Sequence, residues 1–243
     1  MTLLSIKNVG KTFGGLNALR GVSFEMQQGE IVGIMGANGA GKTTLFSLIG
    51  GHERLSSGEI MFAGRSIAGL RPHQVCRLGI ARTFQIVRPF GGLTVAANVA
   101  TAALYGAEPA ASAEAANARA AEVLALVGLA DRANDLAEDL TLSGQKRLEL
   151  ARAVAAKGKL LLLDEVMAGL TPSEVGAMLE VIRKLHNEHR LTILIIEHVM
   201  RALMLLADRI VVLHHGELIA EGKPAEIGAN PRVLECYFGA KQP

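Results

Sequence analysis

The sequence predicts an α/β protein with a mostly parallel sheet, and two observations predict this class. Short apolar runs alternate with helical patterns on both sides of the middle of the chain, as in sheets covered by helices on both faces. Between residues 89 and 157 strand patterns nearly vanish, and residues 107–125 contain ten alanines, which favours helix. We therefore expect a helical subdomain inserted into an α/β body.

The first part of the chain contains three predicted strands and one predicted helix. Residues 3–9 and 22–26 alternate with the period of two that is typical of a strand. Residues 31–35 are apolar on both faces, as in a buried parallel strand. A glycine-rich turn follows, and residues 42–49 are expected to form a helix that ends at the pair Gly50-Gly51.

The α/β alternation resumes after the insert. Helices are expected over residues 173–187, with Ser173 as the N-cap, and over residues 199–206. The predicted strands of this part are residues 160–163, 192–196 and 209–213. Ligands of such sheets bind at the carboxyl ends of the strands, and the polar motifs of this chain fall there.

Length and composition exclude several classes of protein. With 243 residues the chain holds one large or two small domains, and 50% hydrophobic residues are too many for a disordered protein. No apolar run approaches the roughly 18 residues of a membrane span, and residues 1–9 do not form a signal peptide. The net charge of +2 indicates no bulk attraction to nucleic acid. Because Cys76 and Cys236 lack metal or redox spacing, we expect a soluble, cytosolic protein.

The strongest motif is a glycine-rich loop that follows the strand at 31–35. Residues 36–44 read Gly-Ala-Asn-Gly-Ala-Gly-Lys-Thr-Thr and match G-x4-G-K-[ST]. Such a loop wraps a phosphate chain with backbone N–H groups, while Lys42 reaches the β- and γ-phosphates and Thr43 binds Mg²⁺. The alternative is an ordinary glycine-rich turn. The residues expected to contact nucleotide are Gly36, Asn38, Gly39, Gly41, Lys42, Thr43 and Thr44.

Two acidic residues close the predicted strand at 160–163. Asp164 suits the role of the carboxylate beside Mg²⁺, and Glu165 could accept a proton from an attacking water. The alternative is a pair of solvated acids in a loop. Two further signals are weak by themselves: His198 follows a strand and could contact the γ-phosphate, and Gln85 could sense Mg²⁺ or the lytic water.

These motifs in this order resemble the nucleotide-binding subunit of ATP-binding-cassette (ABC) transporters over essentially the whole chain. The resemblance implies a P-loop NTPase (RecA-like) core, an N-terminal antiparallel β subdomain and a helical subdomain at about residues 88–156, within a single domain of residues 1–243. It also implies four roles: Gln85 in the glutamine loop with Mg²⁺, Glu165 as catalytic base, His198 as switch histidine and Phe13 stacked on adenine.

Within the family the chain is most similar to the ATPases of branched-chain amino-acid importers. The segments that carry this likeness are residues 13–16, 82–90, 164–172 and 230–233, together with Tyr237 and Gly239. ATPases that drive lipopolysaccharide export look similar through much of this region. Other subunits recognise the transported solute, so this sequence does not identify it.

Two positions depart from the family pattern. Most relatives carry Leu-Ser-Gly-Gly-Gln as the signature that caps the partner's nucleotide, whereas this chain has Leu-Thr-Leu-Ser-Gly-Gln at residues 140–145. In one alignment Ser143 and Gly144 correspond to the serine and a glycine of the motif. In the other alignment, which needs no gap, Thr141 corresponds to the serine of the motif. Either way one glycine is missing, which restricts the backbone there. Thr171 stands where an Asp or Asn often lies.

The resemblance implies ATP and Mg²⁺ as ligands and a head-to-tail dimer with a paralogous or identical ATPase subunit. It implies contact with integral membrane permease subunits, indirect contact with a solute-binding protein, no nucleic acid, and a cytoplasmic location on the inner face of the membrane. A regulatory subunit that binds ATP with a weakened signature is the alternative.

Overall fold

The computed structural model describes residues 1–238, so Gly239 lies outside the described residues. The elements are, in chain order, β1 (Thr2–Phe13), β2 (Leu16–Gln27), β3 (Ile31–Met35), α1 (Lys42–Ile49), β4 (Ser57–Phe62), β5 (Arg65–Ser66), α2 (Pro72–Leu78), β6 (Ile80–Arg82), α3 (Val95–Tyr105), α4 (Ala113–Val127), α5 (Leu142–Ala155), β7 (Leu160–Asp164), α6 (Pro172–His189), β8 (Thr192–Ile196), α7 (Met200–Leu206), β9 (Arg209–His214), β10 (Glu217–Gly222), α8 (Pro224–Gly228) and α9 (Pro231–Phe238). Among residues 1–238, every helix is too short or too polar to span a lipid bilayer.

The chain divides into two compact units. The first combines residues 1–72 with those from 194 onward, and the second comprises residues 73–193. The single domain of residues 1–243 stays a prediction.

The first unit is built on β-structure. Strands β1, β2, β4 and β5 form an antiparallel sheet in the order β2-β1-β4-β5, which confirms the N-terminal antiparallel subdomain. Strand β3 pairs in parallel with β9, and β9 pairs antiparallel with β10. All five residues of β3 are buried, which explains why its sequence is apolar on both faces.

The second unit carries the helices of the predicted insert. Helices α3, α4 and α5 pack on one another, and β6 pairs in parallel with β7. The helix predicted at residues 107–125 begins later, at Ala113. The reason is Ser112, whose side chain accepts a hydrogen bond from the Ala115 N–H and so caps the helix there. The bounds of the subdomain at 88–156 stay a prediction.

The start of α6 corrects the predicted N-cap. Ser173 was expected to cap this helix, but the cap is Thr171. The main-chain N–H of Glu174 donates to the Thr171 hydroxyl, and the Thr171 N–H donates to the Glu174 carboxylate at 2.8 Å. This reciprocal pair is a capping box, and Pro172 at the first helical position reinforces it. The hydrogen bond from the Thr171 main chain lowers the pKa of Glu174 most, and the bond from the Thr171 side chain lowers it further.

Removing the capping hydroxyl should destabilise the protein. Thr171→Ala should lower the free energy of unfolding by about 1 kcal/mol, since an N–H at the helix start loses its acceptor. Urea unfolding followed by circular dichroism measures the change. Thr171→Ser keeps the hydroxyl and is the control, which should unfold at the wild-type midpoint. Equal midpoints for all three proteins would contradict this role.

Candidate functional site

The glycine-rich loop lies between β3 and α1 in the first unit. Gly41 is the N-cap of α1 with φ 103°, a conformation that side chains rarely adopt. A Cβ at Gly41 would also come within 2.7 Å of the carbonyl oxygen of Ala18. Because the cap residue has no side chain, the positively polarised start of α1 is left for an anion.

Lys42 and Thr43 occupy the first turn of α1. The Lys42 Nζ donates to the carbonyl oxygens of Gly36 and Ala37 at 2.7 and 3.0 Å, so its ammonium group is held over the loop. Thr43 is exposed and Thr44 is half-buried, while Asn38 and Gly39 are exposed on the loop. An ammonium group, a hydroxyl and a helix start within one short segment form a chemically suitable phosphate site.

Two other predicted residues of this unit are accessible. Phe13, at the end of β1, is 43% exposed, and the Lys11 Nζ lies 4.4 Å from the centroid of its ring. The same ammonium group pairs with Glu53 at 2.8 Å. An exposed aromatic face of this kind can stack on a planar base. His198 is exposed and lies between β8 and α7.

Asp164 closes β7 in the second unit and is almost completely buried. Its Oδ2 accepts from the Arg82 Nη2 at 2.9 Å. Burial raises the pKa of Asp164 and outweighs the lowering by the Arg82 hydrogen bond. The other oxygen, Oδ1, is buried without a hydrogen-bond partner among residues 1–238. A buried carboxylate oxygen in this condition fits a divalent cation or a water bound to it.

Glu165 is held at both its side chain and its main chain. The Gln85 Nε2 donates to Glu165 Oε2 at 2.8 Å, and the Lys146 Nζ donates to the Glu165 carbonyl oxygen at 2.8 Å. Its φ of 52° lies in the left-handed region, which costs a non-glycine residue about 1–3 kcal/mol. The structure therefore brings Gln85, Asp164 and Glu165 together within the second unit.

The signature-like segment forms the start of α5. Thr141 is the N-cap, and its hydroxyl accepts from the Gly144 N–H at 3.3 Å. Ser143 and Gly144 are half-buried in the first turn, and Leu142 is 44% exposed. The cap position of Thr141 is where a serine would cap the same helix, which favours the alignment without a gap.

Sequence reasoning missed Arg82 and Lys146 as members of this cluster. Arg82 was seen only as part of a segment that carries the family likeness. Lys146 lies one residue after the signature-like segment, and its partners Gln85 and Glu165 are 61 and 19 residues away in the chain. The feature that marks Lys146 is its burial, and the sequence of an amphipathic helix does not show which of its lysines are buried.

The two units supply complementary chemistry. The first holds a phosphate-type loop with a lysine, and the second holds two acids at a strand end, one of them oriented by a glutamine. These are the parts of a P-loop nucleoside triphosphatase.

Comparison with known proteins identifies the family. The profile of the ABC transporter family matches residues 19–168, and that of the branched-chain amino acid ATP-binding cassette transporter matches residues 217–241. The chain belongs to the ABC transporter family and is an ABC-type transport ATPase. It is 40% identical, over 98% of both chains, to the high-affinity branched-chain amino acid transport ATP-binding protein LivG of Salmonella typhimurium. The corresponding protein BraF of Pseudomonas aeruginosa is 38% identical over 98% of both chains.

Solved structures agree with this assignment. A nucleotide-free ATP-binding cassette from an ABC transporter matches with a TM-score of 0.87 and 28% identity, over 98% of this chain and 99% of that one. A cassette in its ADP conformation matches with a TM-score of 0.88 and the same identity and coverage. A dimeric cassette bound to ADP and phosphate matches with a TM-score of 0.82 at 27% identity, over 91% of this chain and 99% of that one.

Proposed function

We propose that this chain hydrolyses ATP to energise an ABC importer of branched-chain amino acids or a related small polar solute. The observation that carries the proposal is Glu165, a nearly buried carboxylate oriented by Gln85 and following the buried Asp164. The relatives named for branched-chain amino acid transport support the class of solute.

Each predicted residue has a role in hydrolysis. The loop from Gly36 to Thr44 wraps the phosphates, Lys42 neutralises their charge, and Phe13 stacks on adenine. Thr43, Gln85 and Asp164 would hold Mg²⁺, which neutralises phosphate charge when it is bound. Glu165 accepts the proton of the attacking water, and His198 contacts the γ-phosphate.

Two such subunits close head to tail around the nucleotides. The loop of one subunit and the α5 start of the other, with Thr141, Ser143 and Gly144, form each composite site. A paralogous partner is our first expectation and a second copy of this chain is the other. ATP closes the pair because it binds the closed state more tightly than the open one.

Permease subunits are expected to dock beside Gln85. The segment after it exposes several large apolar side chains, with Ile86 69% and Phe90 49% exposed. Asn98 is completely buried and fixes the end of this segment, because its side chain accepts from the Phe90 N–H and donates to the Phe90 and Leu93 carbonyls. A fixed apolar loop suits a protein interface. Through it the chain would lie on the inner face of the cell membrane.

Reconstituted transport tests this function. The chain, its partner ATPase and their permeases are inserted into vesicles with Mg-ATP inside and the solute-binding protein outside. Uptake of labelled leucine, isoleucine or valine is expected, and it should stop without the binding protein. ATP-driven movement of a lipid-linked glycan, with no uptake, would instead support an export complex.

One alternative is a regulatory subunit that binds ATP with a weakened signature. A large side chain at the start of α5 leaves less room for the partner's phosphate than glycine does. Replacing the catalytic glutamate in each of two differing subunits separately distinguishes the cases. We expect Glu165→Gln in this chain to stop most hydrolysis, whereas a small effect would indicate the regulatory role.

A further inference from the structure

Lys146 is the most deeply buried charged side chain outside the predicted catalytic set of the second unit. It lies on the second turn of α5 and is 3% exposed. Its Nζ donates to the carbonyl oxygen of Glu165 at 2.8 Å and to that of Gln85 at 3.2 Å. An ammonium group is buried in a protein only where strong acceptors replace water, so these contacts define its place.

The contacts of Lys146 close a ring of hydrogen bonds. Lys146 holds the main chains of Gln85 and Glu165, and the side chains of those two residues hold each other at 2.8 Å. Removal of one member therefore loosens the other two.

Glu165 depends on this support more than an ordinary residue would. Its left-handed backbone persists only if its surroundings hold it. The carbonyl oxygen of Glu165 also accepts from the Ala168 N–H at 3.2 Å, in the turn that follows β7. Lys146 is the one contact among these that comes from a helix distant in sequence.

We infer that Lys146 is a positioning residue that ties the orientation of Glu165 to the helix start at Thr141. This rests on the proposed function, in which the α5 start faces the partner's nucleotide while Glu165 serves the nucleotide of its own chain. Lys146 is four residues beyond Leu142, about one turn along the same rigid helix. A shift of the α5 start at the partner's nucleotide then moves Glu165, which serves the nucleotide of its own chain.

Lys146→Met tests the inference in the assembled complex with its partner ATPase and permeases. Methionine keeps the length and removes the donor, so kcat for ATP should fall about 10- to 100-fold, the effect of misplacing a reacting group by about 1 Å. KM for ATP should stay within about twofold, since the phosphate loop is untouched. Lys146→Arg keeps donors and charge and should restore most of kcat.

Arg147→Met is the matched control. Arg147 is the next residue on α5, and its Nη1 donates to the carbonyl oxygen of Val127, away from Gln85 and Glu165. It should lose less than about twofold in kcat, because it positions no reacting group. Urea unfolding of each variant gives the folded fraction used to normalise the rates.

A second readout separates positioning from stability. In a Glu165→Gln background, Lys146→Met should lower the residual rate no further, because residues acting as a unit are non-additive. If Lys146→Met does not fold, Lys146→Leu, which likewise has no donor, replaces it in both measurements. Wild-type kcat, a loss confined to KM, or full additivity with Glu165→Gln would overturn the inference.

Failure of the inference and failure of the proposed function give different results. If hydrolysis survives Glu165→Gln in this chain together with the matching change in its partner, the catalytic base is wrongly assigned and the proposed function fails. If Glu165→Gln stops hydrolysis while Lys146→Met does not change kcat, only the role of Lys146 is wrong.

Discussion

Glu165→Gln should bind ATP as the wild type does and hydrolyse it about 10²- to 10⁴-fold more slowly, the contribution of a general base. The change keeps the shape of the side chain and its acceptor for the Gln85 amide, but the new amide cannot take a proton. The rate of phosphate release by the assembled complex and the affinity for a fluorescent ATP analogue measure the two quantities.

The control for this prediction is a glutamate of the same unit that lies away from the cluster. Glu180 is exposed on α6, and Glu180→Gln should hydrolyse ATP at the wild-type rate. If the assembled complex turns over normally with Glu165→Gln and also with the matching glutamate of the partner replaced, the base lies elsewhere.

Lys42→Ala should weaken ATP binding about 10- to 100-fold, since hydrogen bonds to charged groups contribute about 1.5–3 kcal/mol each. The variant also loses the bonds from Nζ to the carbonyls of Gly36 and Ala37, so the loop should be less ordered. Isothermal titration with ATP and Mg²⁺ measures the affinity.

Lys7→Ala removes the same charge from an exposed position on β1 and is the control for a general electrostatic effect, which salt screens between exposed charges. It should bind ATP as tightly as the wild type. Unchanged affinity in Lys42→Ala would mean that the loop does not hold a triphosphate.

The sequence predicted most accurately the strands that are buried on both faces. Strands β3 and β8 have the predicted bounds because five successive apolar residues must be buried on both faces. β10 was missed, since its residues are half exposed and its pattern is weak. The cap of α6 was misplaced because Ser173 and Thr171 are both acceptable caps, and only the bonds to Glu174 separate them.

The candidate site likewise has one part that the sequence predicts and one part that it does not. The loop at residues 36–44 could be found because its motif is contiguous and its backbone geometry demands glycine. The ring of Gln85, Lys146 and Glu165 could not, because its members are up to 80 residues apart in the chain. Such contacts depend on how α5 packs beside β6, which a local pattern does not specify.

The cap at Thr171 bears on how relatives can differ. A hydroxyl, a carboxylate or an amide at this position can each accept the same bond from the Glu174 N–H. Threonine in place of the family's usual Asp or Asn therefore preserves the helix start. Substitution among Thr, Ser, Asp and Asn at residue 171 should be close to neutral for folding, and evolutionary drift there is then no sign of an altered enzyme.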